Sequence, residues 1–319
     1  MEKYSVDEIQ KVPLGGLRQK IHILGADQGN PLLLFLHGGP GVPDRSGVVR
    51  RYRDLCDAFT LVAWDQRGTG SSYWGARARD LTVDRLVEDA RELCEYLCKA
   101  FGQDKLSIVC GSWGTQLGTL LAHRYPQRIA AYVGTAQAVD GIRNEALSYA
   151  FALEKAKEAG NADDIARLEA VGPPARGQYR GGFKGLMTQR DIMKKYGGYS
   201  TNKTQQNKGF VATFAKPMLQ SKEYTPADLL GTWLGYKKTL SVMWPRLTGY
   251  DFTRECNTFL MPYYIFQGRH DSTTPSALVE AFYEAIDAPA KDLVWFENSG
   301  HSFAGEMEKY KRLLREKLL

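Results

Sequence analysis

The chain has 319 residues and a net charge of +6, from 42 Lys and Arg against 36 Asp and Glu. Hydrophobic residues make up 43% of the sequence and charged residues 24%. These proportions are typical of a globular protein, and they exclude collagen, coiled coils and long disordered chains. The basic residues are spread along the chain and form no stripe interleaved with aromatic residues, so we expect no nucleic-acid partner.

The sequence predicts neither a membrane span nor a secretion signal. The longest aliphatic run, Leu32–Leu36, is far shorter than the roughly 20 residues that a membrane helix needs, and residues 1–10 lack the apolar core of a signal peptide. We therefore expect a cytoplasmic protein without a membrane partner.

The five cysteines are an odd number in a chain large enough to fold without disulfides, so they are expected to be reduced thiols. Cys94 and Cys98 lie four residues apart on a predicted helix. No Cys or His stands near them at the spacing of a metal site, and we expect buried thiols there and neither a metal nor a cofactor.

In residues 1–138, short apolar runs alternate with Gly-rich turns and amphipathic segments, the pattern of parallel strands joined by helices. The apolar residues of Val83–Lys99 recur at spacings of three and four, which predicts an amphipathic helix. The predicted strands here are Lys20–Leu24, Pro31–Leu36, Phe59–Trp64, Leu106–Cys110 and Ile129–Gly134.

Residues 139–250 have a different character, because strand-like apolar runs are absent and helical or polar stretches replace them. These stretches are Asn144–Glu158, the Gly-rich and basic Gly172–Gly185, the polar Tyr199–Lys208, and Pro226–Met243. Strands and helices alternate again afterwards, as strand Pro262–Gln267, helix Pro275–Ile286, strand Asp292–Phe296 and a helix from Gly305. The sequence therefore predicts an α/β fold with a mostly parallel central sheet flanked by helices. Its core is residues 1–138 and 251–319, and a helical cap is residues 139–250.

Ser112 is the candidate nucleophile. It lies between a predicted strand ending at Cys110 and a helix beginning near Gly114, with small residues around it. A serine on such a sharp strand-to-helix turn projects its hydroxyl above the sheet. The usual sequence of a nucleophilic serine on such a turn is Gly-x-Ser-x-Gly. Here Cys110 occupies the first position, and it is expected to narrow the turn.

A serine hydroxyl needs a base within hydrogen-bond reach and a third group to orient that base. Of the five histidines, His301 follows the last predicted strand in a Gly-containing turn, and Asp271 follows the strand before it. The order Ser112, Asp271, His301 is that of α/β hydrolases, with the predicted cap between nucleophile and acid. The alternative is that these are three unrelated loop residues.

Two backbone N–H groups are candidates to hold the oxyanion of a tetrahedral intermediate. One is that of Trp113, at the start of the helix after Ser112, and the other is that of Gly39 in the Gly-rich loop, where Pro40 has no N–H. His37 is expected to position this loop through a side-chain hydrogen bond. Asp65 and Arg67 are expected to brace the neighbouring turn.

Five segments together resemble the proline iminopeptidase group of α/β hydrolases. They are His37–Gly41, Asp65–Ser72, Gly111–Gly114, Gly268–Asp271 with Thr274–Pro275, and Ser299–Ser302. The resemblance implies a serine hydrolase with a helical cap, in a group that often acts on the N-terminal residues of small peptides. It implies Ser112 as nucleophile, His301 as base, Asp271 as the group that orients it, and Gly39 and Trp113 as oxyanion donors. The expected partner is a small-molecule or short-peptide substrate.

The predicted cap departs from that group. Proline iminopeptidases hold the substrate's free amine with cap glutamates, one of them in a Trp-x-x-Trp-Glu stretch, whereas Trp233–Lys237 contains no glutamate and ends in lysine. Other acids exist in the predicted cap, at Glu145, Glu154 and Glu223. Two activities therefore stay open, an aminopeptidase and an esterase or lactonase without aminopeptidase activity.

Two other functional classes occur on such a fold. Epoxide and haloalkane hydrolysis need an aspartate nucleophile, and Ser112 argues against them. A receptor that keeps the fold without turnover is the non-enzymatic alternative. The cap aromatics Trp233, Tyr236 and Trp244 either line a substrate pocket or pack a small core.

Overall fold

The computed structural model describes residues 4–206, 216–221 and 223–319. In these ranges, one sheet contains the strands β1 Val6–Leu14, β2 Leu17–Gly25, β3 Leu32–Leu36, β4 Thr60–Trp64, β5 Leu106–Gly111, β6 Ile129–Thr135, β7 Tyr263–Gly268 and β8 Lys291–Phe296. Their order in the sheet is β1-β2-β4-β3-β5-β6-β7-β8. The β1–β2 and β2–β4 pairs are antiparallel and the other pairs are parallel. The predicted mostly parallel sheet is thus confirmed.

Helices follow most of the strands and flank the sheet. They are α1 Arg45–Tyr52, α2 Val83–Phe101, α3 Trp113–Arg124, α4 Gly141–Glu158, α5 Ala162–Val171, α6 Phe183–Lys195, α7 Lys203–Gln206, α8 Lys216–Leu219, α9 Pro226–Leu247, α10 Phe252–Glu255, α11 Val279–Ala285 and α12 Met307–Leu318. Short 3-10 helices lie at Arg53–Asp57, Gly70–Ser72, Ala78–Asp80, Pro126–Arg128 and Ser276–Leu278. None of the helices that the structure describes combines the length and the apolarity needed to cross a membrane.

The two faces of the sheet carry separate hydrophobic cores, as β3 illustrates. Its residues 32, 34 and 36 belong to the cluster that contains apolar residues of α2 and α3, whereas residues 33 and 35 belong to the cluster with α1 and α12. Successive side chains of a strand point to opposite faces. Because helices cover both faces, the run Leu32–Leu36 is apolar throughout, as in other buried parallel strands.

The first strand was not predicted from the sequence, and neither were the helices α1, α5, α6, α7, α8 and α10. Six of the nine β1 residues are exposed or half-buried, and two of these six are the apolar Ile9 and Pro13. β1 therefore lacks the alternation that predicts a half-buried strand. The turn Gly15–Gly16 joins β1 to β2 with positive φ at both residues, 53° and 72°, as a two-residue hairpin turn requires. The helix expected from Pro275 begins instead as a 3-10 turn before α11.

Helices α4–α9, called here the inserted helices, lie in the chain between β6 and β7. At their base Asp140 and Asp251 form an isolated antiparallel bridge, flanked by a hydrogen bond of 3.0 Å from Gly141 N to Tyr250 O. The inserted helices have a hydrophobic cluster of their own, which includes Tyr149 and Leu168. The predicted polar stretch Tyr199–Lys208 extends at its end beyond the described residues.

Candidate active site

The candidate nucleophile lies on a strained turn. Ser112 joins β5 to α3 with φ 53° and ψ −122°, a conformation that costs a non-glycine residue roughly 1–3 kcal/mol and marks functional turns. Its backbone N–H donates to Thr135 O at 2.9 Å, which ties the turn to the neighbouring strand β6. The sequence folds this way because a buried strand runs directly into a helix without a linker.

Cys110 fits at the first position of this turn because the facing helix residue has no side chain. A Cβ added to Gly118 of α3 would lie 2.3 Å from Cys110 Sγ. The thiol therefore occupies the space that a side chain at position 118 would need. Burial raises the pKa of Cys110 well above its ordinary value, so this thiol is expected to be unreactive.

Asp271 and His301 are brought together from the loops after β7 and β8. His301 Nδ1 donates to Asp271 Oδ2 at 2.8 Å, and the Asp271 side chain is fully buried. The other carboxylate oxygen, Oδ1, accepts backbone N–H groups of Thr273 at 2.8 Å and Thr274 at 2.9 Å. Thr274 Oγ1 also donates to Oδ2 at 2.8 Å. The carboxylate is fixed, and the imidazole has its Nε2 available for a partner on its other side.

One cavity of about 850 Å³ is lined by Ser112, His301, Gly39 and Trp113. Its volume is in the range of pockets that bind small molecules. In the structure as described, Ser112 and His301 share no hydrogen bond; catalytic contacts are often long before substrate binds. Asp271 lies on the far side of the imidazole. The structure thus gathers four predicted residues around one space and pairs the fifth with His301.

The Gly-rich loop passes directly beside the nucleophile. A Cβ added to Gly38 would lie 3.1 Å from Ser112 Cβ, so a larger residue there would fit only if the serine or the loop shifted. Trp113 is the first residue of α3, and the N–H of that position has no acceptor within its own helix. Both predicted donors therefore belong to backbone adjacent to Ser112.

His37 contacts this loop through its side chain, as predicted. Its Nδ1 lies 2.7 Å from Gly38 O, and its Nε2 lies 3.2 Å from the backbone N of Gln66. Burial lowers the pKa of His37, although Asp65 and Asp44 act in the opposite direction. The ring is therefore neutral near pH 7.

The charged residues of the turn after β4 bond to partners outside that turn. Asp65 Oδ2 lies 3.4 Å from Nε of the fully buried Arg45. Arg67 donates from Nε to Asp89 Oδ2 of α2 at 2.7 Å. The two residues are structural, as expected, but they tie the turn to other elements. The sequence could not show these partners because they lie about 20 residues away in each direction.

Of the three acids considered in the inserted segment, Glu145 lines the cavity. Its side chain is 2% exposed, and its Oε1 accepts from Arg190 Nη2 at 2.6 Å and from Asn144 Nδ2 at 2.9 Å. Within the described part of the chain, its Oε2 has no hydrogen-bond partner. Glu154 is exposed to solvent, and Glu223 Oε2 lies 3.2 Å from His22 Nδ1, so neither lines the cavity.

Of the three aromatic residues considered in α9, two fill both of the expected roles and the third is exposed. Tyr236 and Trp244 both line the cavity and pack against the inserted helices' core, whereas Trp233 is 66% exposed. Trp244 Nε1 is buried and has no hydrogen-bond partner among the residues that the structure describes. The Trp244 ring lies 5.2 Å from the Arg190 guanidinium. Tyr199, whose ring lies 5.2 Å from that of His301, was not predicted, because its polar surroundings in the sequence gave no signal.

The five cysteines are free and buried. In the described ranges, no three His, Cys, Asp or Glu side chains are grouped as a metal site requires.

The chain matches the alpha/beta hydrolase fold family over residues 31–306. It is 28% identical over 305 residues to the probable aminopeptidase YbaC of Bacillus subtilis (strain 168), a match covering 94% of this chain and 92% of that protein. The proline iminopeptidase of Neisseria gonorrhoeae is 36% identical over 121 residues, which is 36% of each chain.

A structural comparison agrees on the fold. The crystal structure of a proline iminopeptidase-related protein from Thermus thermophilus superposes with a TM-score of 0.63 at 20% identity, covering 97% of this chain and 98% of that one. The resemblance to proline iminopeptidases and the α/β-hydrolase fold are therefore confirmed. The chain belongs to the α/β hydrolase family and is a hydrolase.

Proposed function

We propose that this protein is a cofactor-free serine hydrolase of small amides, peptides or esters, with Ser112, His301 and Asp271 as its catalytic residues and the inserted helices as a cap. The observation that carries the proposal is the 2.8 Å bond from His301 Nδ1 to Asp271, on an imidazole that shares its cavity with Ser112. A carboxylate bonded at Nδ1 fixes the tautomer in which Nε2 is the base.

The proposed reaction proceeds in two halves. Ser112 Oγ attacks the substrate carbonyl as its proton passes to His301 Nε2, and the N–H groups of Gly39 and Trp113 hold the oxyanion. His301 then gives the proton to the leaving amine or alcohol, which departs and leaves an acyl-enzyme. Water attacks this ester by the same route and restores Ser112.

We further propose that the substrate carries a free amine beside the scissile carbonyl, and that Glu145 binds it. The support is the unpartnered Oε2 of a side chain that is 2% exposed, because a buried acceptor without a hydrogen bond costs about 1–3 kcal/mol until a ligand supplies one. Arg190 and Asn144 hold the other oxygen in place. The names of the relatives, an aminopeptidase and a proline iminopeptidase, agree with such a substrate.

Labelling with a fluorophosphonate probe tests the mechanism. We expect stoichiometric labelling of the wild-type protein and none of Ser112→Ala. The matched control is Ser107→Ala in β5, a buried serine away from the cavity, which is expected to label like the wild type. Labelling that persists in Ser112→Ala would contradict the proposal.

A substrate panel tests the amine. Steady-state kcat/KM is compared for proline and alanine 4-nitroanilides, their N-acetylated forms and 4-nitrophenyl acetate. We expect the free-amine anilides to be cleaved faster than the acetylated ones. Turnover of the ester alone, with none of the anilides, would assign the protein to the esterases and remove the amine-binding role of Glu145.

A further inference from the structure

Gln66, in the turn after β4, joins the two loops that carry the proposed oxyanion donors. It is 1% exposed. Its Nε2 donates to His37 O at 2.9 Å, and its Oε1 accepts from Trp113 Nε1 at 2.9 Å. A carbonyl oxygen only accepts and an indole N–H only donates, so the two partners fix the orientation of the amide.

The topology of the sheet makes this bridge possible. Strands β4 and β5 lie on either side of β3, so the Gly-rich loop after β3 lies between the turn that carries Gln66 and the helix start that carries Trp113. The Gln66 side chain therefore spans the Gly-rich loop from one side to the other.

The backbone of Gln66 also sets the tautomer of His37. Its N–H points to His37 Nε2 at 3.2 Å, and a backbone N–H can only donate, so Nε2 carries no proton. Nδ1 carries it and donates to Gly38 O at 2.7 Å. The lowered pKa of His37, caused by burial, agrees with this neutral ring.

Holding Gly38 O determines where Gly39 N–H points. These two groups belong to one peptide bond, which is trans. A trans peptide is planar, and its C=O and N–H point in opposite directions. The bond from His37 therefore fixes the direction of the Gly39 N–H without touching it.

We infer that Gln66 is a positioning residue that fixes the two oxyanion donors relative to each other. It acts through His37 and Gly38 on one side and through the Trp113 indole on the other. The inference rests on the proposed serine-hydrolase function. Gln66 does not line the cavity, so it contributes little to binding of the ground-state substrate. Its loss is expected to lower kcat, because preorganised donors act on the charge that develops in the transition state.

The chain offers a matched control in Gln19. It is fully buried, and its Oε1 likewise accepts from an indole, Trp64 Nε1, at 3.1 Å, but it lies outside the cavity. The Tm, kcat and KM of Gln66→Leu and Gln19→Leu are compared on whichever of alanine 4-nitroanilide and 4-nitrophenyl acetate the wild type cleaves faster.

We expect both variants to lose Tm. Gln66→Leu is also expected to lose about 10- to 100-fold in kcat with KM within about threefold of the wild type, whereas Gln19→Leu keeps its kcat. A wild-type kcat in Gln66→Leu, or a change confined to KM, overturns the inference.

Trp113→Phe supplies a second measurement that keeps an aromatic ring and removes the indole N–H. We expect it to lower kcat. The double variant is expected to lose no more than Gln66→Leu alone, because Gln66→Leu already breaks the one bond that Trp113→Phe removes. If Gln66→Leu does not fold, a wild-type kcat in Trp113→Phe overturns the inference. Absence of fluorophosphonate labelling in the wild type rejects the proposed function itself, whereas labelling with unchanged kcat in the variants rejects the role of Gln66 alone.

Discussion

The cavity has two walls that differ in how their polar groups are satisfied. The core wall consists of the loops at the strand ends, with Gly39, Ser112, Trp113 and His301. Hydrogen bonds behind it link His37, Gly38, Gln66 and Trp113 in one set and His301 with Asp271 in another. The helical wall consists of Glu145, Arg190, Tyr236 and Trp244 from the inserted helices. Among the described residues that line the cavity, Glu145 Oε2 and Trp244 Nε1 are the buried side-chain polar atoms without a partner, and both belong to the helical wall.

This difference separates two tasks. Hydrogen-bonded loops suit groups that must keep one geometry, which catalysis requires. An unpartnered acceptor and an unpartnered donor favour a ligand that supplies both kinds of hydrogen bond. The helical wall also has charged groups that burial disfavours: the pKa of Asp191 is raised and that of Lys194 is lowered. The proposed function therefore places the chemistry at the core wall and substrate recognition at the helical wall.

Asp271→Asn tests the core wall with the largest expected effect. The amide keeps the size of the carboxylate but no longer stabilises the tautomer with a free Nε2, so we expect kcat to fall by about 10⁴-fold. Steady-state kinetics measure this, with circular dichroism to show that the fold is retained. A loss below about tenfold would place the orienting carboxylate elsewhere.

Glu145→Gln tests the helical wall. Losing the charge of a bond to an ammonium group costs about 1.5–3 kcal/mol, so kcat/KM for alanine 4-nitroanilide is expected to fall roughly 10- to 100-fold, while labelling of Ser112 by a fluorophosphonate stays at the wild-type level. Glu154→Gln, on the exposed side of the same helix, is the control and is expected to change neither. An equal loss of kcat/KM in Glu145→Gln and Glu154→Gln would contradict the role of Glu145 in binding the substrate's amine.

Gly118→Ala tests how closely the core wall is packed. The new methyl group would overlap Cys110 Sγ, and this outweighs the gain in helix propensity, so we expect a net loss of about 1–2 kcal/mol in the free energy of unfolding. Urea denaturation measures it. Adding Cys110→Gly is expected to recover part of the loss, and full additivity of the two changes would mean that the residues do not contact.

The pH dependence of stability tests the buried imidazole of the core wall. The pKa of His37 is lowered in the folded protein. As the pH falls below 6.5, His37 is therefore protonated in the unfolded chain before it is protonated in the folded protein. The free energy of unfolding is expected to fall as pH decreases from 6.5 towards the folded pKa, by up to about 1.4 kcal/mol per pH unit. Subtracting the profile of His37→Gln isolates this contribution, and parallel profiles would contradict it.

The residues of the core wall could be predicted from the sequence. Each of them follows a strand that is recognised by its apolar run. Ser112 directly follows β5, and Asp271 and His301 lie in the loops after β7 and β8. The carboxyl ends of parallel strands meet at one edge of a sheet. The pairing of Asp271 with His301 follows from that rule together with chain order.

The residues of the helical wall could not be predicted in the same way. Glu145, Glu154 and Glu223 are equivalent by sequence, and the packing of α4 on α6 decides that Arg190 meets the first of them. Gln66 was overlooked for a related reason, because its partners come from two other loops. Helix α1 was missed because it is short and rich in arginine, so its burial depends on tertiary contacts that periodicity does not encode.

The bridge between Asp140 and Asp251 has a consequence for how this protein diversifies. The inserted segment leaves and rejoins the rest of the chain at adjacent positions. Its length and composition are therefore free to vary without altering which strand neighbours which. Under the proposed function, exchanging this segment is expected to change substrate preference while the residues proposed for catalysis stay in place.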